Sequence, residues 1–261
     1  MTRPNDLIEP SQLELRNGLR QDDVIHRYCS IKELYVMLRG SLSLACPFIW
    51  EDKFENPLFR AKFTNRNGKQ IDLRKAGQKL YCQCWTIEKE SDAMWKLFGS
   101  QSTGVRVTTS VKNLQLQAYN SHDSYRNEAV FTKIGKIEYL SESGIKQKFR
   151  SNEEFIKRFM EPNCDGFYDS LLIKRTAYSY EKEVRLIVHD FDDRFGGSET
   201  NRLSIPIAGT HWIQHVTFGP SVDTDTFEAH RGRLQQIGLE NEKISRSDLY
   251  GPLEYSISVS R

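Results

Sequence analysis

No run of the chain approaches the roughly 18 apolar residues a membrane helix needs. The longest apolar-leaning stretch, Leu42–Trp50, is broken by Ser43 and Pro47. The first twenty residues, MTRPNDLIEPSQLELRNGLR, lack the apolar centre of a secretory leader. Cysteine is scarce and odd in number, five in all, with only Cys82 and Cys84 closely spaced. That excludes a secreted disulfide framework, and a reducing cytoplasm with no membrane contact is expected. An excess of one charge is also missing: 37 Lys and Arg against 35 Asp and Glu leave +2, which disfavours binding driven chiefly by phosphate neutralisation. There is no P-loop, no G-x-G-x-x-G, no G-x-S-x-G and no H-E-x-x-H. ATP-driven, Rossmann, α/β-hydrolase and zinc-protease chemistries lose their usual signatures. Cys82 and Cys84 have no second Cys or His pair at zinc spacing and read as small packed hydrophobes. No solenoid or coiled-coil period runs through the chain.

What is present is enough apolar matter for a core: 38% apolar and 11% aromatic over 261 residues. Strands and helices intermix without a regular βαβ beat. An α+β single domain is expected, with mixed, mostly antiparallel sheets flanked by short helices. Residues 1–20 read as a polar arm and 21–261 as the domain. Ile25–Tyr28, Ser41–Ala45, Leu80–Thr86, Gly104–Thr109, Lys136–Leu140, Thr176–Val188, Ile213–Phe218 and Leu253–Val259 read as strands. Ser30 and Glu33 have capping-box spacing, and Gly40 stands where a helix ends; between them Ile31, Leu34, Tyr35 and Leu38 share one face. Further helices are read over Ser91–Gly99, from Ser151 to before Pro162, and from Asp223 to Ile237 ahead of Gly238. Residues 61–78 and 191–203 read as polar loops.

Three segments could carry chemistry. The first runs Tyr178-Ser179-Tyr180-Glu181-Lys182-Glu183-Val184-Arg185. On an extended strand Glu181, Glu183, Arg185 and Ile187 project one way, and Lys182, Val184, Leu186 and Val188 the other. Two carboxylates and a guanidinium on one strip suit a polyhydroxyl or phosphate-bearing ligand; an exposed strand face with cross-strand ion pairs is the plainer alternative. The second is His26-Arg27-Tyr28, where Arg can clamp phosphate and Tyr can stack on a flat ring, or where Arg27 simply pairs with a core carboxylate. The third, Pro47–Glu55, mixes aromatics with Glu51, Asp52 and Glu55 and has the look of a pocket-shaping loop. Its Glu51-Asp52-Lys53 also contains the bare E-x-K of metal-dependent nucleases.

Taken in order, these stretches resemble the bacterial domain-of-unknown-function family 2971. His26-Arg27-Tyr28, Asp52-Lys53-Phe54-Glu55, Cys84-Trp85, Met94-Trp95, Gly104–Val107, Lys174 with Tyr180–Arg185, and Val216–Pro220 follow that family's succession from about residue 25 to 250. Glu51, Lys53 and His26 depart from its usual Asn, Pro and Tyr. A second resemblance is to ADP-ribosyltransferases of the Arg-Ser-Glu class, through Arg27, then Thr108-Thr109-Ser110 (or Ser41-Leu42-Ser43), then Glu181-Lys182-Glu183. It implies an ADP-ribosyltransferase-like fold and NAD as substrate, with no metal. It also implies roles: Glu183 stabilises positive charge developing on the ribose, and Glu181 orients or deprotonates the acceptor. Arg27 and Arg185 would bind the cofactor's polar parts, and Tyr28, Trp85 or Tyr180 would stack on its ring.

Three functions follow. One is an NAD-using ADP-ribosyltransferase or NAD glycohydrolase acting as a toxin or phage-defence effector, with an unknown protein or nucleic-acid acceptor and a neighbouring antitoxin or regulator. The second is a non-catalytic module for a nucleotide, nucleic acid or protein. The third is a metal-dependent nuclease. The first predicts that Arg27, Tyr180, Glu181 and Glu183 line one concave pocket.

Overall fold

The computed structural model describes residues 14–50, 52, 54–55, 63–64, 68, 70–71, 77–100, 102–123, 130–151, 157–158, 165–190, 192–193 and 195–252. The strands are β1 (Leu15–Arg16), β2 (Val24–Ser30), β3 (Ser41–Ala45), β4 (Phe63–Thr64), β5 (Gln70–Ile71), β6 (Leu80–Thr86), β7 (Gly104–Ser110), β8 (Val130–Lys136), β9 (Glu138–Leu140), β10 (Ile173–Arg175), β11 (Glu183–Asp190), β12 (Arg202–Pro206), β13 (His215–Phe218) and β14 (Ile244–Arg246). The helices are α1 (Ile31–Leu38), α2 (Asp92–Phe98), α3 (Val111–Asp123), α4 (Glu142–Ser151), α5 (Asp165–Ser170), α6 (Gly197–Thr200) and α7 (Thr224–Gln236), with 3-10 turns at Pro47–Ile49, Thr176–Glu181 and Asn241–Lys243. Among the described residues no helix is long and apolar enough to cross a membrane.

The mixed, mostly antiparallel sheet expected from the sequence is present. Its main path is β1-β8-β11-β6-β2-β7-β13-β14, with β3 pairing β6 and β12 pairing β3. Only the two outer pairs of this path, β1 with β8 and β13 with β14, are parallel. One face of β6 and β11 buries Trp85, Val184, Leu186 and Val188 in the larger core, together with Val111, Leu114 and Ala118 of α3. The other face places Leu80, Cys82 and Ile187 against Phe167, Tyr168 and Leu171. Period-two alternation accounts for both sets.

The joint between β6 and β2 decides where a ligand can enter. β2 runs along β7 through seven residue pairs, and β11 along β6 through seven. β2 and β6 meet at the single pair His26↔Thr86. Beyond it β6 takes β3 as its neighbour, at Ala45↔Cys82. The sheet is therefore two halves joined at one point and splayed on one side of it.

Local signals explain most elements. Ser30 and Glu33 form the capping box, and Gly40 closes α1 at φ +90°, where a Cβ would meet the Ile207 carbonyl at 3.0 Å. Ser91 caps α2 by accepting from the Met94 amide, and Asp223 caps α7 by accepting from the Thr226 amide. Several expectations need correction. Thr176–Glu181 is a 3-10 turn, not strand: the Lys182 amide donates back to the Ser179 carbonyl, Lys182 sits left-handed at φ 41°, and β11 begins only at Glu183. Within the stretch read as a polar arm, Leu15 and Arg16 pair with β8 and Leu19 is buried in the core. The loop read over 191–203 contains α6 and the start of β12. Ser151 ends α4 instead of opening a helix; most of the helix read after it, the strand Leu253–Val259 and most of 61–78 lie outside the described residues.

The buried face of β11 supplies a stability prediction. Val184 has no exposed surface and packs in the larger core. Val184→Asp would place an unpaired carboxylate there and should cost roughly 4–5 kcal/mol or more. Urea unfolding of the variant beside the parent measures it; a loss below about 1 kcal/mol would contradict the burial.

Candidate functional site

Where β2 leaves β6, the polar groups of the β6 edge lose their ladder partner. The Cys84 carbonyl accepts instead from Arg27 Nη1 at 2.8 Å. Arg27 Nη2 lies 3.5 Å from a Glu33 carboxylate oxygen, while its Nε is buried with no hydrogen-bond partner among the described residues. The guanidinium thus sits in the mouth of the split rather than over either half.

The split opens into a cleft of about 640 Å³, within the range of small-molecule sites. β2 contributes His26, Arg27 and Tyr28, and β6 contributes Cys84 and Thr86. The opposite wall holds Lys174, Tyr178, Tyr180, Glu181 and Glu183. Trp50, Asp52 and Glu55 close one end, and Met94, Leu97 and Phe98 of α2 form part of the rim. Arg27, Tyr180, Glu181 and Glu183 line one concavity, as the first functional reading requires.

A buried ionic cluster forms the floor. Lys174 Nζ lies 2.8 Å from Glu181, 2.9 Å from Glu55 and 3.2 Å from Glu183. Arg185 Nε donates to Glu183 Oε1 at 2.8 Å, and its Nη2 reaches Glu183 at 2.7 Å and Glu55 at 3.2 Å. The remaining Nη1 donates to the Leu171 carbonyl, and the guanidinium lies 4.3 Å over the Trp50 ring. The Glu183 amide donates to the Tyr139 hydroxyl at 2.8 Å, which pins the start of β11. Among the described residues three carboxylates face two cations, so one negative charge is in excess there.

The two neighbouring acids titrate in opposite directions. For Glu183, burial would raise the pKa, but Arg185 and Lys174 outweigh it and hold the group below the ordinary carboxylate value. For Glu181, burial dominates over the hydrogen bond from Lys174, and its pKa is raised. His26, partly buried and near Arg106, is lowered to about 4. It is neutral at pH 7 and shares a 2.9 Å hydrogen bond with Thr108 Oγ1.

The residues expected at the site divide as follows. Glu181, Glu183, Arg27 and Tyr180 line the cleft; Tyr180 is 44% exposed at its mouth. Glu181 reaches the cleft from the 3-10 turn, not from a shared strand face, and Thr86 Oγ1 fixes it by donating to its carbonyl at 2.6 Å. Arg185, expected to touch cofactor, is fully buried and absent from the cleft wall, because its guanidinium is spent on Glu183, Glu55 and Leu171. Trp85 lies along the cleft, but its indole faces the core, donates to Gln83 at 2.9 Å and meets Trp212 edge-on. It is not free to stack on a ligand. Tyr28 borders the cleft yet is only 6% exposed and packs edge-on against Trp95 at 4.7 Å. Thr108, Thr109 and Ser110 serve structure: Thr109 donates to the Trp212 carbonyl and Ser110 accepts from the Asn113 amide. The Cys82 and Cys84 thiols are pushed up by burial, which fits inert packing. Asp52 pairs with Arg175 at 3.1 Å; Glu51 and Lys53, the other parts of the nuclease motif, lie outside the described residues.

Lys174 and Glu55 are the site residues that sequence reasoning left without a role. Both stand in motif stretches, but their partnership joins positions far apart in the chain, and only the acid-rich character of the loop hinted at Glu55. Tyr178, whose ring lies 4.8 Å from Lys174 Nζ, opens the stretch that carries Glu181 and Glu183 but had no role in the sequence reading.

No curated protein matches the chain. Two solved structures similar to it are those of Thermus sp. 2.9 DarT. One is in complex with ADP-ribosylated ssDNA (13% identity, 88% of this chain and 97% of that chain, TM-score 0.38), and the other with NAD+ (13% identity, 88% and 98%, TM-score 0.35). The family model described as "Protein of unknown function (DUF2971)" matches residues 94–186, which run from α2 into β11 and carry Lys174, Glu181, Glu183 and Arg185, so the family resemblance read from the ordered motifs holds over that stretch.

Proposed function

We propose that the cleft binds NAD and cleaves its nicotinamide–ribose bond, passing ADP-ribose to water or to a macromolecular acceptor. One observation carries the reading. Two adjacent carboxylates with oppositely shifted pKa values, in a cluster with surplus negative charge, face a cleft whose other wall presents Arg27. When two acids are pushed apart in this way, one is suited to remain ionised and the other to move a proton.

The chemistry balances with these groups. The glycosidic C–N bond breaks with its electron pair going to the ring nitrogen, which turns the pyridinium into neutral nicotinamide. Positive charge develops on the ribose. Glu183, ionised and held by Arg185 and Lys174, opposes that charge without having to reorganise. Glu181 takes the proton of the attacking water or acceptor hydroxyl as the new bond to the ribose carbon forms. Arg27 offers its guanidinium to the phosphates, and Tyr180 offers a face to a flat ring. Neutral His26 adds no charge against a cationic head group.

Incubation of the full chain with NAD should release nicotinamide, measured chromatographically, with and without protein or single-stranded nucleic acid added as acceptor. The rate should fall on acidification with a midpoint above the ordinary carboxylate value, because Glu181 must be ionised to accept a proton and its pKa is raised. Glu181→Gln should remove that acid limb together with most of the rate. Binding of NAD without turnover under every condition would favour the non-catalytic module. Absence of both binding and turnover would sink the NAD reading.

A further inference from the structure

The cleft continues into a second chamber of about 380 Å³. Its own lining includes the apolar Val36, Met37 and Leu44, the neutral polar Ser41 and Gln83, and one carboxylate, Glu33. The two spaces share Arg27, Ala45, Trp50, Cys84 and Arg202. Arg202 played no part in the sequence argument and has no role in the cluster described above.

Its position follows from register. Arg202 pairs with Ala45 across β12 and β3, and Ala45 pairs with Cys82 across β3 and β6. Directly opposed residues share a face, so Arg202, Ala45 and Cys82 form a row on the same face of β6 as Cys84 and Glu183. The small Ala45 leaves the space above that row open at the seam. Arg202 is exposed and, among the described residues, its guanidinium has no ion pair or hydrogen bond. Arg27 meets the seam from the other half of the sheet, with its Nε unpartnered among them. Among the described residues the carboxylate that pairs with Arg27 is Glu33, 3.5 Å away and half exposed. The charge pattern along the groove is therefore ordered: surplus negative at the cluster, surplus positive at the seam, and a largely apolar chamber beyond.

We propose that Arg202 and Arg27 form a two-arginine clamp for a diphosphate at this seam. The ligand is thereby a dinucleotide with a cationic head over the carboxylates and its second base in the adjoining chamber. The proposal rests on the NAD reading for the identity of the head group, but the clamp itself needs only a diphosphate. Guanidinium pairs recognise that group through charge-assisted bidentate bonds.

Calorimetric titration of the full chain and of Arg202→Ala and Arg202→Lys with NAD, ADP and adenosine tests it. Arg202→Ala should weaken NAD and ADP by about 10–100-fold. Adenosine affinity and melting temperature should not move. Arg202→Lys should recover only part of the loss, since an ammonium keeps the charge but not the fork. Equal weakening of adenosine and ADP, or no weakening of ADP, would overturn the clamp. ADP binding that depends on Arg202 in a chain that neither binds nor cleaves NAD would uphold the clamp and defeat the NAD reading. NAD cleavage by the parent with affinity unchanged in Arg202→Ala would do the reverse.

Discussion

Glu183→Gln should lower nicotinamide release by roughly 10²–10³-fold, the usual loss when one preorganised charge-stabilising group is removed. The substitution is nearly isosteric, but it deletes the charge that the cluster holds in excess. Two carboxylates would then balance two cations, and nothing on the floor would oppose the positive charge forming on the ribose. The fold should not be untouched. A reading of β11 with only Val184, Leu186 and Val188 packed would expect Glu183 to be free of structural duty, yet Glu183 is itself 3% exposed and meets Arg185 and Lys174. The amide oxygen can still accept from Arg185, but the amide NH2 would present donors to a lysine ammonium. Loss of such charged hydrogen bonds costs about 1.5–3 kcal/mol. The activity loss must therefore be measured well below the unfolding transition, alongside NAD affinity. The expected signature is a collapse in turnover with NAD affinity reduced far less. A variant that retains turnover within about threefold of the parent would remove Glu183 from the mechanism.

The sequence made the strands legible wherever one face was apolar and the next polar, as in Leu80–Thr86. It made α1, α2 and α7 legible through their caps. α3 escaped because its buried side mixes Leu114 and Ala118 with Gln115 and Gln117, which dilutes the apolar period. Those amides are buried because they bond to backbone: Gln117 accepts from the Ala208 amide, and Gln115 donates to the Glu14 carbonyl. No local pattern announces partners about a hundred positions away. The turn at Thr176–Glu181 was read as strand because Tyr178, Tyr180 and Val184 favour extended backbone. Its local turn bonds and the left-handed Lys182, not propensity, set the conformation. At the site, motif order pointed to Arg27, Glu181 and Glu183, which line one cleft. Which face each aromatic presents was not readable. Trp85 and Tyr28 carry the right chemistry for stacking, but tertiary packing has already used their rings.

Arg185 shows how far structural and chemical duties at this site are coupled, and its removal should have the largest effect on stability of any change to the cluster. It is fully buried, and every one of its nitrogens has a partner among Glu183, Glu55 and the Leu171 carbonyl. In Arg185→Met the side-chain volume is largely kept and the stack on Trp50 loses only its charge. Three carboxylates would then face Lys174 alone, raising the excess from one negative charge to two in a water-poor site. Breaking a buried pair in this manner costs roughly 3–5 kcal/mol. The pH dependence gives a sign that simple loss of packing would not. In the parent, Glu183 has a lowered folded pKa, so its contribution is present above the unfolded carboxylate value and is lost as pH falls through the folded one. Without Arg185, burial is opposed only by Lys174 and a hydrogen bond from Cys84, and the Glu183 pKa should rise above its unfolded value. The penalty would then be greatest at neutral pH and relieved as pH falls, so acid should narrow the gap between variant and parent. Urea unfolding at neutral and mildly acid pH reads both effects. Adding Glu183→Met to Arg185→Met should recover part of the stability, since Glu55 and Glu181 against Lys174 restore a single excess charge. A deficit that stays constant with pH, or a double variant no better than the single, would mean that Arg185 acts through packing and not through the charge it supplies to Glu183.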